Sequence, residues 1–419
     1  MKKNSMINYL KNLQGNPKYC ILTEPLWFIP YSLYAPYATI FMYSLGVTDI
    51  QIGFIISFGM VIQVIAAFFG GVLTDKLGRR MTTILADLIS WSIPCLIWAF
   101  AQNFWWFLIA AMFNSIWQIS NISWSALLVE DSKESDLVYA YSWINIASVL
   151  SVFVSPIAFV LINKFDTVII VRYLYMFSFI SMTIKFLILF IKGHETEQGV
   201  KRMEETKNES VGKLILGYKD VFKKLIQSPA MRFTLFLLLT YNIAITAVNG
   251  NFFGLYVTQR LGLEESFISI FQMCGAVVTL IFMFTLQSKL SKLPVRHVML
   301  AGYIIFIVTN TLLILAPIEN VLYVICYTLL NSVAVACVAP RKDSLSATFI
   351  DKKERSRVNA LMYMIMIGFT SPFGIFIGWL STIDRRLPFI LNILIFVICF
   401  VAMFNSNEVK KLDKASSIT

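Results

Sequence analysis

The sequence predicts an all-α membrane protein of twelve transmembrane helices, arranged as two pseudo-symmetric six-helix bundles. Hydrophobic residues make up 58% of the 419-residue chain and charged residues only 14%, whereas soluble proteins average about 25% charged residues. The apolar residues also fall in long runs that are separated by short polar segments, which is typical of a protein that crosses the membrane many times.

Twelve apolar runs are long enough to cross a membrane as helices. At about 1.5 Å per residue, a helix of about 20 residues spans a hydrocarbon core of about 30 Å. The predicted segments 1 to 12 cover residues 19–45, 50–73, 82–101, 105–129, 138–162, 168–191, 230–258, 266–287, 297–316, 320–347, 358–381 and 387–405.

Lysine and arginine residues are concentrated in alternate loops. With a cytoplasmic N-terminus, the inner loops and tails carry 26 of the 35 basic residues and the outer loops carry five. Because cytoplasmic loops are enriched in basic residues, both termini are predicted to be cytoplasmic. The net charge of +11 then follows from topology, and no nucleic-acid partner is expected. The Lys-, Ile- and Asn-rich composition indicates a bacterial source, so we expect a multi-pass protein of the cell membrane.

A hydrophilic stretch at residues 193–229 divides the twelve segments six and six. The predicted domains are an N-terminal bundle at residues 1–192, a cytoplasmic linker at 193–229 and a C-terminal bundle at 230–419. Apolar residues recur at helical spacing in the second half of the linker. This spacing predicts an amphipathic helix on the inner membrane surface or, alternatively, a helix packed on the end of the bundle. Four matches between residues 131–140 and 351–360 indicate a duplicated bundle.

The loop between segments 2 and 3 has the sequence GVLTDKLGRR. Its distinctive residues are Gly71, Asp75, Lys76, Gly78, Arg79 and Arg80. We expect Gly71 to permit close helix approach and Gly78 to permit a tight turn. The arginines are expected to bind carboxylates, for which Glu130 and Asp131 at the inner end of segment 4 are the natural partners. Anchoring by positive charge alone is the alternative, but it would not explain the paired glycines.

This loop and its place in the chain resemble the major facilitator superfamily. The signature of that family between its second and third helices is Gly-x-x-x-Asp-(Arg/Lys)-x-Gly-(Arg/Lys)-(Arg/Lys). The resemblance implies secondary transport by alternating access, with this loop latching the state that is closed on the cytoplasmic side. The corresponding loop of the second half, at residues 287–297, keeps basic residues but lacks the glycines and the aspartate. Only Ser155 and Pro156 match the signature of the family's drug antiporters, which disfavours a drug exporter.

Three carboxyl groups inside predicted segments are candidates for proton coupling: Glu24, Asp87 and Asp343. A charge near the centre of a membrane helix costs about 2.5–3.5 kcal/mol, so each needs a reason to be there. A carboxylate with little water around it takes up and releases protons near neutral pH. The alternatives are a headgroup position or a basic partner for Glu24, pairing with the arginines of the loop for Asp87, and pairing with Arg341 for Asp343.

Aromatic and polar side chains of segments 1, 4, 7 and 10 are candidate solute contacts, because the resemblance implies that these segments line a central cavity. The candidates are Trp27, Tyr31, Tyr34, Asn114, Gln118, Asn121, Asn242, Asn249 and Arg341. Polar groups also bond membrane helices together, at about 0.6–2 kcal/mol per bond, which is the alternative role of each polar candidate. Arg341 would suit an anionic or carbonyl-bearing solute. Lys185 is expected to extend to the membrane surface.

No motif for covalent chemistry is present in the sequence. There is no phosphate-binding G-x-x-x-x-G-K-[ST] motif, and His194 and His297 lack the spacing of a zinc site or a catalytic triad. We therefore expect no catalytic residue, no metal and no cofactor. The expected protein is a monomeric secondary transporter in the lipid bilayer that exports an amphipathic compound in exchange for protons through Glu24. Proton symport of a polar or anionic nutrient and a non-transporting receptor or scaffold are the alternatives.

Overall fold

The structure is a computed structural model that describes residues 9–132, 137–207, 222, 225–286, 290, 293–349 and 355–410. In these ranges every regular element is a helix, which confirms the predicted all-α class. The chain divides into two compact units. Unit 1 contains residues 1–47 and 58–216, and unit 2 contains residues 48–57 and 217–419.

Nine helices of the described ranges are long and apolar enough to cross a membrane, and they correspond to predicted segments 2, 3, 5, 6, 7, 9, 10, 11 and 12. Their bounds are Asp49–Leu77, Arg79–Phe100, Tyr139–Lys164, Thr167–Lys192, Pro229–Arg260, Val295–Ile314, Val321–Asp343, Leu361–Ile383 and Leu387–Asn405. Segment 8 contains a shorter apolar helix, Phe267–Phe282. The count of twelve crossings stays a prediction.

Segments 1, 4 and 5 are interrupted by turns. Segment 1 consists of the helices Gly15–Leu22 and Pro25–Tyr34, the short 3-10 helix Ala35–Tyr37 and the helix Ala38–Ser44. Segment 4 consists of Phe104–Asn114 and Trp117–Glu130, and segment 5 of Leu137–Val152 and Pro156–Lys164. Segment 1 contains three prolines, each of which lacks the N–H that would continue the helical hydrogen bonds. Interrupted membrane helices place backbone groups where a solute or an ion can reach them, so these segments are the first places to look for a site.

Side chains from neighbouring helices replace the hydrogen bonds that prolines remove. Pro30 leaves the carbonyl of Leu26 without its helical donor, and Ser181 Oγ donates to that carbonyl at 2.8 Å. Pro94 leaves the carbonyl of Ser90 free in the same way, next to the π-helical turn Leu88–Ser92. Asn114 Nδ2 donates to it at 2.8 Å. These substitutions keep the backbone satisfied where lipid offers no hydrogen bond.

Segment 6 has an apolar exposed face and a buried face that carries polar side chains. One stripe at three- and four-residue spacing is apolar and exposed, and consists of Tyr173, Phe177, Ile180, Ile184, Leu187 and Ile191. The opposite face buries the polar side chains of Ser178, Ser181 and Lys185. A soluble protein rarely exposes an apolar stripe of this length, whereas a helix in lipid is expected to do so.

The two halves of the chain repeat the same helix neighbours. In unit 1, segment 3 packs on segments 4 and 6, and in unit 2, segment 9 packs on segments 10 and 12. An arginine holds the same place in both. Arg80 donates to the carbonyl of Phe190 and lies over its ring at 5.3 Å, and Arg296 does the same to Phe404 at 4.8 Å. The repeated contact supports the predicted duplication.

Candidate functional site

Two buried ions of unit 1 form the centre of the candidate site. Glu24 lies at the break of segment 1, immediately before the helix Pro25–Tyr34. The Nζ of Lys185 lies 2.7 Å from Glu24 Oε1, and each of the two side chains is only 6% exposed. The predicted position of Lys185 at the membrane surface is therefore wrong. Glu24 thus has a basic partner, which was the alternative to proton coupling for this residue. Since either buried ion alone would be costly, each stabilises the other.

Asp87 brings a second carboxylate to the same place. It ends the helix Arg79–Asp87, is 7% exposed, lies beside Ser120 and is within electrostatic range of both Lys185 and Glu24. Its expected alternative, pairing with the arginines of the 71–80 loop, is not what the structure shows. We name Glu24, Asp87 and Lys185 the charge cluster. If all three groups are ionised, the formal charge of the cluster is one negative charge.

Aromatic rings surround the ammonium of the charge cluster. Lys185 Nζ lies 6.0 Å from the ring centroids of both Trp124 and Phe186. The indole nitrogen of Trp124 is buried and has no acceptor among the described residues. Both rings lie at the outer limit of cation–π attraction, and it is the burial of all three charged side chains that limits their contact with water.

An aromatic column continues from the charge cluster along segments 1 and 3. Trp27 stacks on Tyr31 with centroids 4.8 Å apart, and Trp91 meets Trp27 edge-on at 4.8 Å and Tyr31 at 6.0 Å. Tyr34 follows at 5.5 Å from Tyr31. Of the predicted aromatic candidates, Trp27 and Tyr31 are therefore adjacent, and Tyr34 packs inward at 3% exposure, against Tyr175. We name Trp27, Tyr31 and Trp91 the aromatic column.

The three polar candidates of segment 4, Asn114, Gln118 and Asn121, have different surroundings. Asn114 bonds to the carbonyl of Ser90, which is the alternative role of a bond between helices. Gln118 is buried, and its Oε1 has no hydrogen-bond partner in the described part of the chain. Asn121 is exposed. Gln118 is thus the member of the stripe with an acceptor still to satisfy.

The candidates of unit 2 do not assemble in the same way. Asn242 Nδ2 donates to Thr370 Oγ1 at 3.1 Å, a bond between segments 7 and 11. The side chain of Asn249 lies outside the described residues. Arg341 is buried and donates to the carbonyl of Cys337 at 3.0 Å.

The expected pairing of Asp343 with Arg341 is wrong. Its Oδ1 lies 2.7 Å from the Nζ of the adjacent Lys342, so its partner is Lys342 and not Arg341. The reason is steric, because residues 341 and 343 point about 200° apart around a helix. The Lys342 ammonium also lies over the ring of Tyr241 at 4.9 Å.

The predicted 71–80 loop is mostly helical, because residues 71–77 end the helix Asp49–Leu77 and Arg79 begins the next helix, with only Gly78 between them. Its residues form an ionic network at the predicted cytoplasmic end of unit 1. The buried Arg79 bonds through Nε to both oxygens of Glu130 at 3.1 Å and through Nη1 to Asp75 at 3.1 Å. Lys76 lies on the last turn of segment 2. Asp131 does not bind an arginine of the loop in the described contacts, and it accepts from Asn16 Nδ2 at 2.8 Å instead.

Glu195 of the linker caps this network, and the sequence reasoning missed it. The backbone N–H groups of Arg79 and Arg80 donate to its two carboxylate oxygens at 2.8 and 2.9 Å. A carboxylate is favoured at this position because the amides at a helix N-terminus are unpaired and carry partial positive charge. The sequence signal that could have indicated this role is the pair Glu195–Thr196, which follows closely after segment 6. Thr196 takes part in the same network, because its hydroxyl donates to Glu130.

The two glycines of the loop differ in their roles. Gly78 has φ +84°, and a Cβ there would lie 2.5 Å from Glu195 Oε2, so both backbone and space require glycine. A Cβ at Gly71 would meet no described atom within 4 Å, so the expected close approach at Gly71 is wrong. The close approach belongs to Gly70, where a Cβ would lie 2.7 Å from Ile122 Cδ1 of segment 4.

The linker helix Glu197–Thr206 extends the network. Arg202 Nη2 lies 2.8 Å from Asp75 Oδ2, and its Nη1 lies 2.8 Å from Glu205. Hydrogen bonds to these carboxylates raise the pKa of the Arg202 guanidinium above its usual value. His194 Nε2 lies 3.1 Å from Asp131. The first part of the linker is therefore bound to unit 1. The amphipathic helix predicted for its second half lies almost entirely outside the described residues.

Unit 2 contains a second ionic contact, at the predicted outer side. Asp49 begins the helix Asp49–Leu77 and is buried. Its Oδ2 accepts from Ser381 Oγ at 2.7 Å and from Arg385 Nη1 at 3.1 Å. A Cβ at Gly378 would lie 2.5 Å from the carbonyl oxygen of Asp49, so the two helices cross in close contact. We name this contact the outer crossing.

A family model and solved structures agree with this geometry. The chain belongs to the Major Facilitator Superfamily, whose model matches residues 26–292 and 235–418. It is therefore a membrane-embedded transporter of a small solute and not an enzyme.

Three solved structures illustrate the shared fold. A mutant of the nucleoside transporter NupG has a TM-score of 0.74 at 15% identity, covering 93% of this chain and 100% of that one. A POT family transporter in complex with 5-aminolevulinic acid has a TM-score of 0.70 at 12% identity, covering 93% and 94%. The human organic anion transporter TETRAN has a TM-score of 0.64 at 15% identity, covering 92% and 98%. No curated protein sequence matches the chain.

Proposed function

We propose that this protein exports a small amphipathic compound in exchange for protons, and that Glu24 of the charge cluster carries the exchanged proton. The observation that supports this proposal is the buried group of two carboxylates and one ammonium at the break of segment 1. With both carboxylates ionised, one negative charge of the cluster has no cation, and a proton on either carboxylate removes it. A proton that moves down 100 mV releases about 2.3 kcal/mol, which sustains about a fifty-fold concentration ratio of solute.

Alternating access is the proposed mechanism. The bundles at residues 1–192 and 230–419, joined by the linker, rock around a site near the middle of the membrane. The network of Arg79, Asp75 and Glu130 latches the predicted cytoplasmic end. The outer crossing at Asp49 supports a second closure, since its glycine contact can separate without moving large side chains. Asp87 is the second proton site of the cluster, and Asp343 serves the other bundle.

The aromatic column favours an amphipathic solute. Trp27, Tyr31 and Trp91 offer ring faces and edges next to the charge cluster, whereas a strongly polar nutrient would need many hydrogen-bonding groups there. We also propose that the protein is a monomer in a bacterial cell membrane, with both termini in the cytoplasm.

Uptake of a polar or anionic nutrient by proton symport is the second candidate. Arg341 supports it, because this arginine is buried in segment 10 and retains donors beyond its bond to Cys337. The unsatisfied Gln118 Oε1 is consistent with a polar solute as well.

Everted membrane vesicles test the proposal. They are energised to an acidic interior, which a pH-sensitive dye reports, and then receive cationic, neutral and anionic amphipathic compounds in turn. A transported compound collapses the pH gradient in wild-type vesicles, and Glu24→Gln abolishes the collapse.

The matched control is Asp384→Asn, which removes the same charge from a loop. The pKa of Asp384 is lowered by its hydrogen bonds from Arg386, so this group stays ionised and exchanges no proton near neutral pH. We expect wild-type behaviour from it. A panel that never collapses the gradient, or an unchanged response in Glu24→Gln vesicles, would exclude the proposed coupling.

A further inference from the structure

We infer that residues 194–206 of the linker, which we name the strap, stay bound to unit 1 throughout the transport cycle, so that the moving joint between the bundles begins after Lys207. This inference rests on the proposed alternating access, but it concerns neither the solute nor the coupled ion. It also moves a boundary, since the sequence predicted that the N-terminal bundle ends at Lys192. It is carried by contacts that fix both ends of the strap and pack it on Gly78.

The first end of the strap is bound through Asn16 and Glu195. Asn16 is fully buried, and its side-chain amide pairs with the backbone of His194. The Oδ1 of Asn16 accepts from the His194 N–H at 3.0 Å, and its Nδ2 donates to the His194 carbonyl and to Asp131, both at 2.8 Å. Glu195 accepts from two backbone N–H groups at the start of segment 3. The strap therefore begins in contact with segments 1, 3 and 4.

Thr196 couples the fold of the strap to its binding. Its hydroxyl accepts from the N–H of Gly199 at 2.9 Å and so caps the helix Glu197–Thr206. The same hydroxyl donates to Glu130 at the end of segment 4. Because the side chain is fully buried, water does not compete for these bonds. One oxygen atom thus both starts the strap helix and holds it on unit 1.

The other end of the strap is bound to the last turn of segment 2. Arg202 Nη2 lies 2.8 Å from Asp75 Oδ2, and the buried Thr206 donates through its hydroxyl to the backbone carbonyl of Asp75 at 3.1 Å. Asp75 is therefore held at its side chain and at its backbone. Its second carboxylate oxygen binds Arg79 at 3.1 Å, so the strap and the ionic network share this residue.

Between these ends the strap crosses the turn at Gly78. A Cβ there would lie 2.5 Å from Glu195 Oε2 and 2.9 Å from Met203 Sδ, so residues of two parts of the strap contact the turn. Arg202 binds Asp75 before the turn, and Glu195 binds the backbone after it. Because the strap is bound on both sides of a one-residue turn, it holds segments 2 and 3 at a fixed angle, and both segments move together with it.

Electrostatics favours the bound strap at both of its ends. The carboxylate of Glu195 meets the positive end of a helix, and the guanidinium of Arg202 meets a carboxylate. Every described hydrogen bond and ion pair that the strap makes outside itself goes to residues of unit 1. Hinges are a few residues that absorb large backbone changes, which a segment bonded along its length does not permit. The joint therefore begins after the strap.

Hydrogen exchange on the purified full-length protein tests whether the strap is bound. We expect the amides of residues 200–206 to exchange about a hundredfold more slowly than in an unfolded peptide of the same sequence. Glu195→Ala and Arg202→Ala should each speed this exchange about tenfold or more. Glu204→Ala is the matched control, because it removes an exposed carboxylate of the same helix that has no described contact with the ionic network. Thermal unfolding identifies any variant that fails to fold.

A cross-link between the strap and unit 1 tests whether the strap stays bound during transport. Ser132 and Lys201 line one cavity of about 790 Å³, and neither belongs to the ionic network, so cysteines at both positions can be joined by bismaleimidoethane. The variant Ser132→Cys/Lys201→Cys is made in a chain without the six native cysteines. In the everted vesicles and with the compounds described above, the cross-linked protein should keep about half or more of its transport rate.

The control reagent is N-ethylmaleimide, which modifies both cysteines without joining them. A loss of most transport with bismaleimidoethane but not with N-ethylmaleimide would show that the strap must leave unit 1, and would overturn the inference. Strap amides that exchange as fast as an unfolded peptide, or that ignore Glu195 and Arg202, would overturn it as well. If wild-type vesicles transport no compound of the panel, the proposed function fails separately, and hydrogen exchange decides the inference.

Discussion

At the scale of single residues, the pairing of Lys185 with Glu24 determines what the site can do. Each ion lies where water is scarce, and each is tolerated because the other is 2.7 Å away. The two residues are 161 positions apart in the chain. From the sequence, each charge therefore had to be interpreted by itself. Lys185 was predicted to reach the membrane surface because it lies close in sequence to Lys192, at the end of segment 6. Only the packing of segment 6 on segment 1 shows that the side chain points inward.

The first prediction concerns the stability of this pair. Lys185→Met should lower the free energy of unfolding by about 3–5 kcal/mol, because it leaves a carboxylate buried without its partner. The double variant Glu24→Gln/Lys185→Met should recover most of that loss, since Glu24 then carries no charge and the cluster keeps a single carboxylate without a cation, that of Asp87, as in the wild type. Thermal unfolding of the purified variants in detergent checks both. Losses that simply add in the double variant would mean that the two ions do not stabilise one another.

A second residue-scale prediction separates the two glycines of the 71–80 loop. Gly78→Ala should destabilise the protein by about 1–3 kcal/mol, because its backbone lies in a region that only glycine occupies readily and the new Cβ would meet Glu195. Gly71→Ala is the matched control and should be neutral or stabilising by up to about 1 kcal/mol, since Gly71 lies within the helix Asp49–Leu77 and a Cβ there meets no described atom. Limited proteolysis of the linker, compared between the two variants, reports whether Glu195 has been displaced. Equal sensitivity of both variants would contradict the distinction.

At the scale of helices, hydrophobicity predicted where the chain crosses the membrane but not where helices break. Segments 2, 6 and 12 are continuous helices, as their uninterrupted apolar runs predict. The break in segment 1 was readable in part from Pro25 next to Glu24. The break in segment 4 has no proline, and follows Ser115, whose hydroxyl bonds to the carbonyls of Ala111 and Gly59. The bond to Gly59 depends on a neighbouring helix, so the local sequence around Ser115 could not predict it.

The bond that replaces a proline's missing donor supplies the third prediction. Ser181→Ala should destabilise the protein by about 1–3 kcal/mol, because the carbonyl of Leu26 is then buried without a donor. Pro30→Ala in the same chain should restore stability, since residue 30 then supplies the helical N–H. Ser178→Ala is the control one turn away. Its hydroxyl bonds only to Leu174 of its own helix in the described contacts, and its loss should be nearly neutral. Thermal unfolding measures all three, and a loss that Pro30→Ala leaves unchanged would be inconsistent with this account.

At the scale of the whole molecule, the two halves share helix neighbours and one arginine–phenylalanine contact, but they differ in chemistry. The half with the intact 71–80 loop also contains the charge cluster and the aromatic column. In the other half, Arg296 keeps the place of Arg80, while the glycines and aspartate of the loop are absent. The loop motif was sufficient to predict the family from sequence. The charge cluster was not predictable, because its three members come from three helices.

The outer crossing supplies a prediction about movement. Alternating access requires this contact to separate in each cycle, so a covalent bond across it should stop transport. Asp49→Cys/Ser381→Cys replaces two side chains that share a hydrogen bond across this crossing, which brings one cysteine of each helix within reach of the other. Oxidation should block transport by the double variant, and reduction should restore it, while each single variant stays insensitive to oxidant. Full transport by the cross-linked protein would rule out the proposed closure.

Uphill transport by the purified protein in liposomes tests the central claim most directly, because no other transporter is present. Under an imposed pH gradient alone, wild-type protein should concentrate a transported amphipathic compound several-fold across the membrane. Liposomes with Glu24→Gln should reach only equal concentrations on the two sides. Equal accumulation by the two proteins, or transport that ignores the pH gradient, would contradict the account.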